Sequence, residues 1–386
     1  MFAFPGGVSA ALPGPSGPGH SQHDQNDHAL VAVGWDAGWA AAFAEHGAAG
    51  LVPGRIIRVD RGGCEVVTAG GHSWPATLPT GPAGPVACTG DWAALHPAPV
   101  AGPTGRETLT VAALLPRRTA LLRASSSRRS EPQALAANVD VVAVTMPLTE
   151  PLNLGRLERL VTLAWDSGAR PLVVLTKADQ ADDPEPAAVE AVAAEAAAAA
   201  PGIAVVVTSA TGGTGLDELA GELTGTCVLI GASGAGKSTL TNALLGVDAQ
   251  LVGAVRAADG KGRHTTVRRE LLALPGGGVL IDTPGLRGVG MPAAEGGLRQ
   301  AFADVEGFAA DCRFGDCEHR TEPGCAVVAA VDAGVMPARR LENYRRLQRE
   351  NAWAAARGDA RLAAEQRRQW KSISKEHRRM YRERGH

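Results

Sequence analysis

Two stretches of this sequence carry residue types spaced for phosphate and nucleobase chemistry. The first, "GASGAGKST" at 231–239, satisfies the pattern Gly231-x4-Gly236-Lys237-Ser238. The small residues Gly231, Ala232, Ser233, Gly234, Ala235 and Gly236 let backbone N–H groups close around a β-phosphate, and a helix opening behind them adds positive potential. Lys237 would pair with β- and γ-phosphate oxygens, and Ser238, followed by Thr239, would ligate Mg²⁺. The second stretch, Thr176-Lys177-Ala178-Asp179, ends an apolar run. A carboxylate at Asp179 can accept hydrogen bonds from both N1–H and the 2-amino group of guanine, whereas adenine offers no matching pair and would leave the acceptors unpaired. Thr176 stands where Asn is usual in such an element, and it keeps a hydroxyl for bonding neighbouring loops. The next apolar run ends in Thr208-Ser209-Ala210, where the backbone of Ser209 and Ala210 is placed to support the guanine O6.

Further along, "IDTPGLRGVG" supplies Asp282 at a strand end for the outer sphere of Mg²⁺ and the Gly285 backbone for a γ-phosphate. Between the two lies "GKGRHTTVRRE" (260–270), with Thr265 and Thr266 as candidates for a switch segment, Thr266 ligating Mg²⁺. A merely flexible loop has the same composition. Leu286 follows Gly285 and has no group to orient an attacking water, so the isolated chain should turn over slowly. His264, beside the switch threonines, is the candidate to position that water; it is equally suited to contact RNA. The order along the chain is base reader, Ser-Ala, phosphate loop, switch, DTPG. Most GTPases place the phosphate loop first. Because sheet packing depends on which strands are adjacent and not on where the chain begins, this order reads as a circular permutation.

Cys312-x4-Cys317-x-His319-x5-Cys325 offers three thiolates and one imidazole, the complement of a closed, structural tetrahedral Zn²⁺ site. Cys64, Cys88 and Cys227 are scattered in apolar contexts as small core residues.

The elements that must position these residues follow from patterning. From about 51 to 123 short β-like runs alternate with turn signals, as in a small barrel. About five strands suit an oligonucleotide-binding (OB) fold, with an SH3-like barrel as the other possibility. Residues 36–47 read as a short amphipathic helix ahead of it. From about 135, near-continuous apolar runs (138–146, 170–179, 202–210, 226–234, 277–285) alternate with helical stretches, which specifies a parallel sheet covered by helices. The expected fold is therefore multi-domain. A disordered N-terminus covers 1–34, a helix plus OB-like barrel 35–123, a circularly permuted α/β P-loop domain 135–300, and a zinc-binding helical module with a basic tail 301–386. His20, His23 and His28 fall in the Gly/Pro-rich start, where nothing fixes them as ligands.

The formal charge of −2 conceals an asymmetry: residues 337–386 hold 15 Lys/Arg against 6 Asp/Glu, a net +9, leaving −11 on the rest. That tail, with Tyr344, Trp353, Trp370 and Tyr381 interleaved, suits RNA phosphates and unstacked bases, or else is a solvated helix whose aromatics dock on the protein. No apolar run reaches the roughly 20 residues of a membrane span, and no signal-peptide pattern opens the chain, so a cytoplasmic location and no membrane partner are expected.

Together, "TKAD", "GASGAGKST", "GRHTT", "DTPG" and "CRFGDCEH…PGC" in this order resemble the ribosome small-subunit-dependent GTPase A (RsgA/YjeQ) family over roughly residues 35–385. Thr176 in place of Asn is the departure. The resemblance implies a monomeric GTPase that binds GTP/GDP, Mg²⁺ and one structural Zn²⁺. It would act in late maturation of the 30S subunit, contacting 16S rRNA, with hydrolysis stimulated by the subunit. Competing readings are a permuted GTPase serving the large subunit, a P-loop kinase or ATPase, which "TKAD" disfavours, and an RNA-binding protein using nucleotide as a non-catalytic clamp.

Overall fold

The computed structural model describes residues 28–60, 62–78, 86–102, 105, 107–123, 133–181, 185–246, 269–282 and 295–358. The chain opens with α1 (His28–Val31) and α2 (Ala37–Ala48). Leu30 and Val33 are buried, so structure begins inside the stretch expected to be disordered to residue 34; the Gly/Pro-rich composition ends before these apolar side chains seat. Asp36 caps α2 by accepting from Trp39 N–H.

Five strands follow: β1 (Val52–Asp60), β2 (Gly63–Thr68), β3 (Ser73–Thr77), β4 (Trp92–Ala101) and β5 (Glu107–Leu114). They pair in the order β1-β2-β3-β5-β4, and a β1–β4 pairing closes the circle. The parallel β3–β5 contact inside an otherwise antiparallel circle is the OB-like arrangement and sets aside the SH3-like one. Ile56, Val66, Leu95, Leu109 and Val111 fill the interior. Trp35 and Trp39 pack on Trp92, with ring centroids 4.8 and 5.9 Å apart.

A hairpin of β6 (Ala120–Arg123) and β7 (Gln133–Ala137) leads to the second layer system. This comprises β8 (Val141–Pro147), α3 (Leu154–Asp166), β9 (Arg170–Thr176), α4 (Pro186–Ala199), β10 (Val205–Val207), α5 (Leu216–Glu222), β11 (Thr226–Gly231), α6 (Lys237–Leu244), β12 (Glu270–Ala273) and β13 (Val279–Asp282). The sheet order is β10-β9-β8-β11-β13-β12, parallel except for β12. All seven residues of β8 and all six of β11 are buried, as strands covered on both faces must be. The strand that opens this unit, β8, lies beside the phosphate-loop strand β11. The order in space is thus β9, β8, the phosphate-loop strand β11, then β13, whatever the order along the chain. Ligands of such sheets bind at the carboxyl ends of the strands, where Thr176, Gly231 and Asp282 all lie.

The barrel is tied to this sheet. Strand β1 pairs with β12 at Arg58↔Glu270, making one eleven-stranded sheet. Fully buried Arg55 donates to Val33 O (2.9 Å) and to Thr226 Oγ1 (3.0 Å) at the foot of β11, with its guanidinium 4.7 Å from the Trp92 ring. Burial pulls its pKa down to about 10 against the opposing pull of Asp140 and Asp91. Asp140 in turn accepts from Thr226 N–H at 2.7 Å.

Among the described residues the remaining helices are α7 (Glu295–Ala301), α8 (Ala303–Ala309), α9 (Ala326–Asp332) and α10 (Ala338–Gly358). Phe302, Val305, Val327, Leu341, Tyr344 and Leu347 join the same core as α3 and β8.

Candidate nucleotide-binding site and metal centre

The phosphate loop joins β11 to α6. A Cβ on Gly231 would stand 2.5 Å from the Thr145 carbonyl oxygen on β8 and closer still to its hydroxyl, so no other residue fits there. Gly236, at φ +81°, caps α6 and turns the loop into the helix. Lys237 Nζ donates to the loop's own carbonyls, Gly231 O at 3.0 Å and Ala232 O at 2.7 Å. The ammonium is thereby held over the cradle that a phosphate would enter. Burial lowers its pKa and the Asp282 carboxylate opposes the drop, which places Asp282 within electrostatic reach. Ser233, Gly234, Ser238 and Thr239 are exposed at the mouth. Ser238 on the first turn of α6 and Asp282 at the end of β13 are oxygen donors of the kind Mg²⁺ takes.

The candidate base-reading residues stand against this loop. Thr176 is buried, and its hydroxyl donates to Ala235 O at 2.8 Å, with Met146 O at 3.5 Å. This is where the missing Asn is replaced: a threonine ties β9 to the phosphate loop directly. Lys177 adopts a left-handed conformation (φ 61°) and starts the short turn Ala178–Gln180. Ala178 N–H donates to Thr208 O at 3.1 Å, which joins the turn to the end of β10. That turn presents Asp179 to solvent with both carboxylate oxygens occupied. Oδ1 accepts from Ser209 Oγ and Oδ2 from Thr211 Oγ1, each at 2.7 Å. These two bonds, Ser209 first, hold its carboxyl below the usual carboxylate range. Ala210 lies between the two hydroxyl residues. Sequence reading assigned only the backbone of Ser209 and missed both hydroxyls; Thr211, two residues past Ser209, was the available signal.

The structure therefore brings together Thr176, Lys177, Ala178, Asp179, Ser209, Ala210, the loop 231–239 and Asp282 at one sheet edge. His264, Thr265, Thr266 and Gly285 lie outside the described residues, as do Leu286, Trp370 and Tyr381.

The metal centre is built between α8 and α9. Cys312, Cys317, His319 and Cys325 each offer one donor atom, all within 4.8 Å of one another. Cys312 Sγ is 3.6 Å from His319 Nδ1 and 3.8 Å from Cys325 Sγ, and Cys325 Sγ is 3.5 Å from His319 Nδ1. A tetrahedron with bonds of about 2.3 Å to sulfur and about 2.0 Å to nitrogen separates sulfurs by about 3.8 Å and sulfur from nitrogen by about 3.5 Å, so the donors fit zinc. The loop between them is clamped by the Glu322 carboxylate, which accepts from the N–H groups of Glu318, Arg320 and Thr321.

Helix α10 ties this centre to the sheet. Tyr344 packs against Phe302 and lies 6.5 Å from the His319 ring, and its hydroxyl donates to Glu306 at 2.7 Å. Arg340 is buried against Glu158 and Asp304. The first turns of the basic tail are thus structural, and Arg340 and Tyr344 are withdrawn from any RNA contact; Trp353 is 60 % exposed.

A phosphate loop on a parallel sheet, with the Thr176–Asp179 strand end earlier in the chain and beside that loop, has the arrangement of a circularly permuted P-loop GTPase. The profile of the family described as RsgA GTPase matches residues 114–292. A protein of Streptomyces avermitilis named Small ribosomal subunit biogenesis GTPase RsgA is 53 % identical over 349 residues, covering 90 % of this chain and 92 % of the relative. The chain belongs to the RsgA GTPase family. Among solved structures, YjeQ of Thermotoga maritima superposes with a TM-score of 0.57 at 24 % identity, covering 78 % of this chain and 98 % of YjeQ. YloQ, described as a circularly permuted GTPase, superposes at 0.56 and 21 % identity, covering 78 % and 95 %. Both share the fold.

Proposed function

We propose that this chain hydrolyses GTP to GDP and phosphate while docked on the small ribosomal subunit, as a step in that subunit's biogenesis. The observation that carries the guanine assignment is the Asp179 carboxylate, held by Ser209 and Thr211 and set beside the phosphate loop through the Thr176–Ala235 bond. The role on the subunit rests on relatives that carry that name.

In this reading Asp179 takes the guanine N1–H and 2-amino group, and the backbone of Ser209 and Ala210 supports O6. Lys237 exchanges its two carbonyl partners for β- and γ-phosphate oxygens, while backbone N–H groups of 232–237 close on the β-phosphate. Ser238, Thr266 and Asp282 would hold Mg²⁺, which would neutralise negative charge developing on the phosphates. The Gly285 backbone follows the γ-phosphate, and His264, with Thr265 and Thr266, positions the water when the small subunit is bound. Zinc on Cys312, Cys317, His319 and Cys325 is structural, since four protein donors leave no open position. The chain acts as a cytoplasmic monomer with 16S rRNA as its contact, the basic end beyond Gly358 among the contacting parts. Among the described residues no helix is long and apolar enough to cross a membrane.

The test is phosphate release from GTP and ATP by the full chain alone, with small subunits and with large subunits. The proposal expects slow release from GTP alone and strong stimulation by small subunits only. Equal stimulation by large subunits, or hydrolysis of ATP at the GTP rate, would contradict it.

A further inference from the structure

Asp179 is exposed, yet each of its carboxylate oxygens is held by a side-chain hydroxyl at 2.7 Å. The hydroxyls are themselves fixed. Ser209 Oγ accepts from Gly212 N–H at 2.9 Å, which turns its own proton toward Asp179, and it stands 3.3 Å from Thr211 Oγ1. The terminal torsion of an aspartate is broad, so a hydroxyl on one oxygen alone leaves the carboxylate plane free to swing. A hydroxyl on each oxygen fixes it. A carboxylate has about four acceptor directions. Ser209 and Thr211 take one on each oxygen at 2.7 Å, and exposed Gln180 Nε2 makes only a long 3.4 Å contact to Oδ2, which the base can displace; one direction on each oxygen is then open to N1–H and the 2-amino group of guanine.

We propose that Thr211 is a positioning residue for guanine recognition: its hydroxyl, acting with that of Ser209, sets the plane of the Asp179 carboxylate so that both free acceptor directions meet the base. This rests on Asp179 being the base reader. Thr211 need not touch the nucleotide; it removes the cost of orienting the carboxylate when the base arrives. Because Thr211 is exposed, losing its hydroxyl should leave the fold intact.

The experiment measures affinity for GDP, IDP and ADP by calorimetry on the full zinc-loaded chain, for wild type, Thr211→Val and Thr211→Ser, with melting temperature as the control for folding. IDP lacks the 2-amino group and uses only one of the two acceptors. Thr211→Val should bind GDP about fivefold more weakly and lose less for IDP, so that the GDP-to-IDP preference narrows, and Thr211→Ser should restore both. An unchanged GDP affinity and preference in Thr211→Val would overturn the inference. So would an equal loss for GDP and IDP, which would mean that the hydroxyl only supports the loop. Tighter GDP binding would overturn it as well, showing that the hydroxyl occupies an acceptor the base needs. ADP binding to wild type as tightly as GDP would sink the base-reading assignment and the inference with it. A wild type that prefers GDP with an indifferent Thr211→Val sinks the inference alone.

Discussion

Replacing Glu158 by Ala should loosen the joint between the metal-bearing helices and the nucleotide-binding sheet. The Glu158 side chain on α3 is wholly buried, and Oε1 accepts from Arg339 Nη1 and Arg340 Nη1, each at 3.0 Å. Its other oxygen accepts from Asn343 Nδ2. Arg340, 2 % exposed, also donates to both oxygens of Asp304 (3.0 and 2.7 Å) and to the carbonyls of Ala199 and Ala301 (2.9 and 2.8 Å). Removing one partner of a buried pair costs about 3–5 kcal/mol when the other charge is left bare. Here Arg340 keeps Asp304 and two carbonyls, and Arg339 is partly solvated, so the lower end, about 3 kcal/mol, applies. At about 2–4 °C per kcal/mol for a unit of this size, the midpoint should fall by about 6–12 °C in calorimetry of the whole chain. Glu158→Gln keeps the shape and one acceptor and should lose roughly half as much. A Glu158→Ala midpoint within about 1 °C of wild type would refute the reasoning, because a buried guanidinium would then have lost one of its two carboxylates at no cost.

Two further outcomes follow from the site. The purified chain should carry one zinc, and Cys312→Ser, leaving three donors, should lose it with a lowered melting temperature; metal analysis finding no zinc in wild type would contradict this. His264→Ala should bind GTP and small subunits normally yet lose most of the stimulated rate, whereas Lys237→Ala should weaken nucleotide binding itself; full stimulation without His264 would assign the water to another group.

Much of this architecture was legible because its signals are local. The buried runs that became β8, β9 and β11 are too apolar for strands with a solvent face, and β9 and β11 end in candidate site residues. The four metal donors fall within fourteen residues, so their convergence needed only a loop. What stayed hidden depends on contacts distant in sequence. The parallel β3–β5 pairing that makes the barrel OB-like joins Ala76 to Leu109. The Thr176 hydroxyl finds Ala235 O, and Asp179 finds Thr211, only once β10, β9, β8 and β11 are lined up across one sheet. Composition hid that Leu30 packs into the core behind a Gly/Pro-rich start. The tail's sequence leaves both RNA contact and docking on the protein open, and Arg340 and Tyr344 take the second, buried by Glu158, Asp304 and Phe302.

The central claim, that Asp179 reads guanine in a site that turns over on the small subunit, is tested most directly by changing the base that the site accepts. Xanthine carries a carbonyl acceptor where guanine carries the 2-amino donor, so an amide at 179, with one acceptor and one donor, matches xanthine, while the carboxylate matches guanine. In the presence of small subunits the wild-type chain should release phosphate from GTP and not from XTP. Asp179→Asn should release it from XTP and lose most activity on GTP. An Asp179→Asn chain that still hydrolyses GTP at the wild-type rate and ignores XTP would contradict the account.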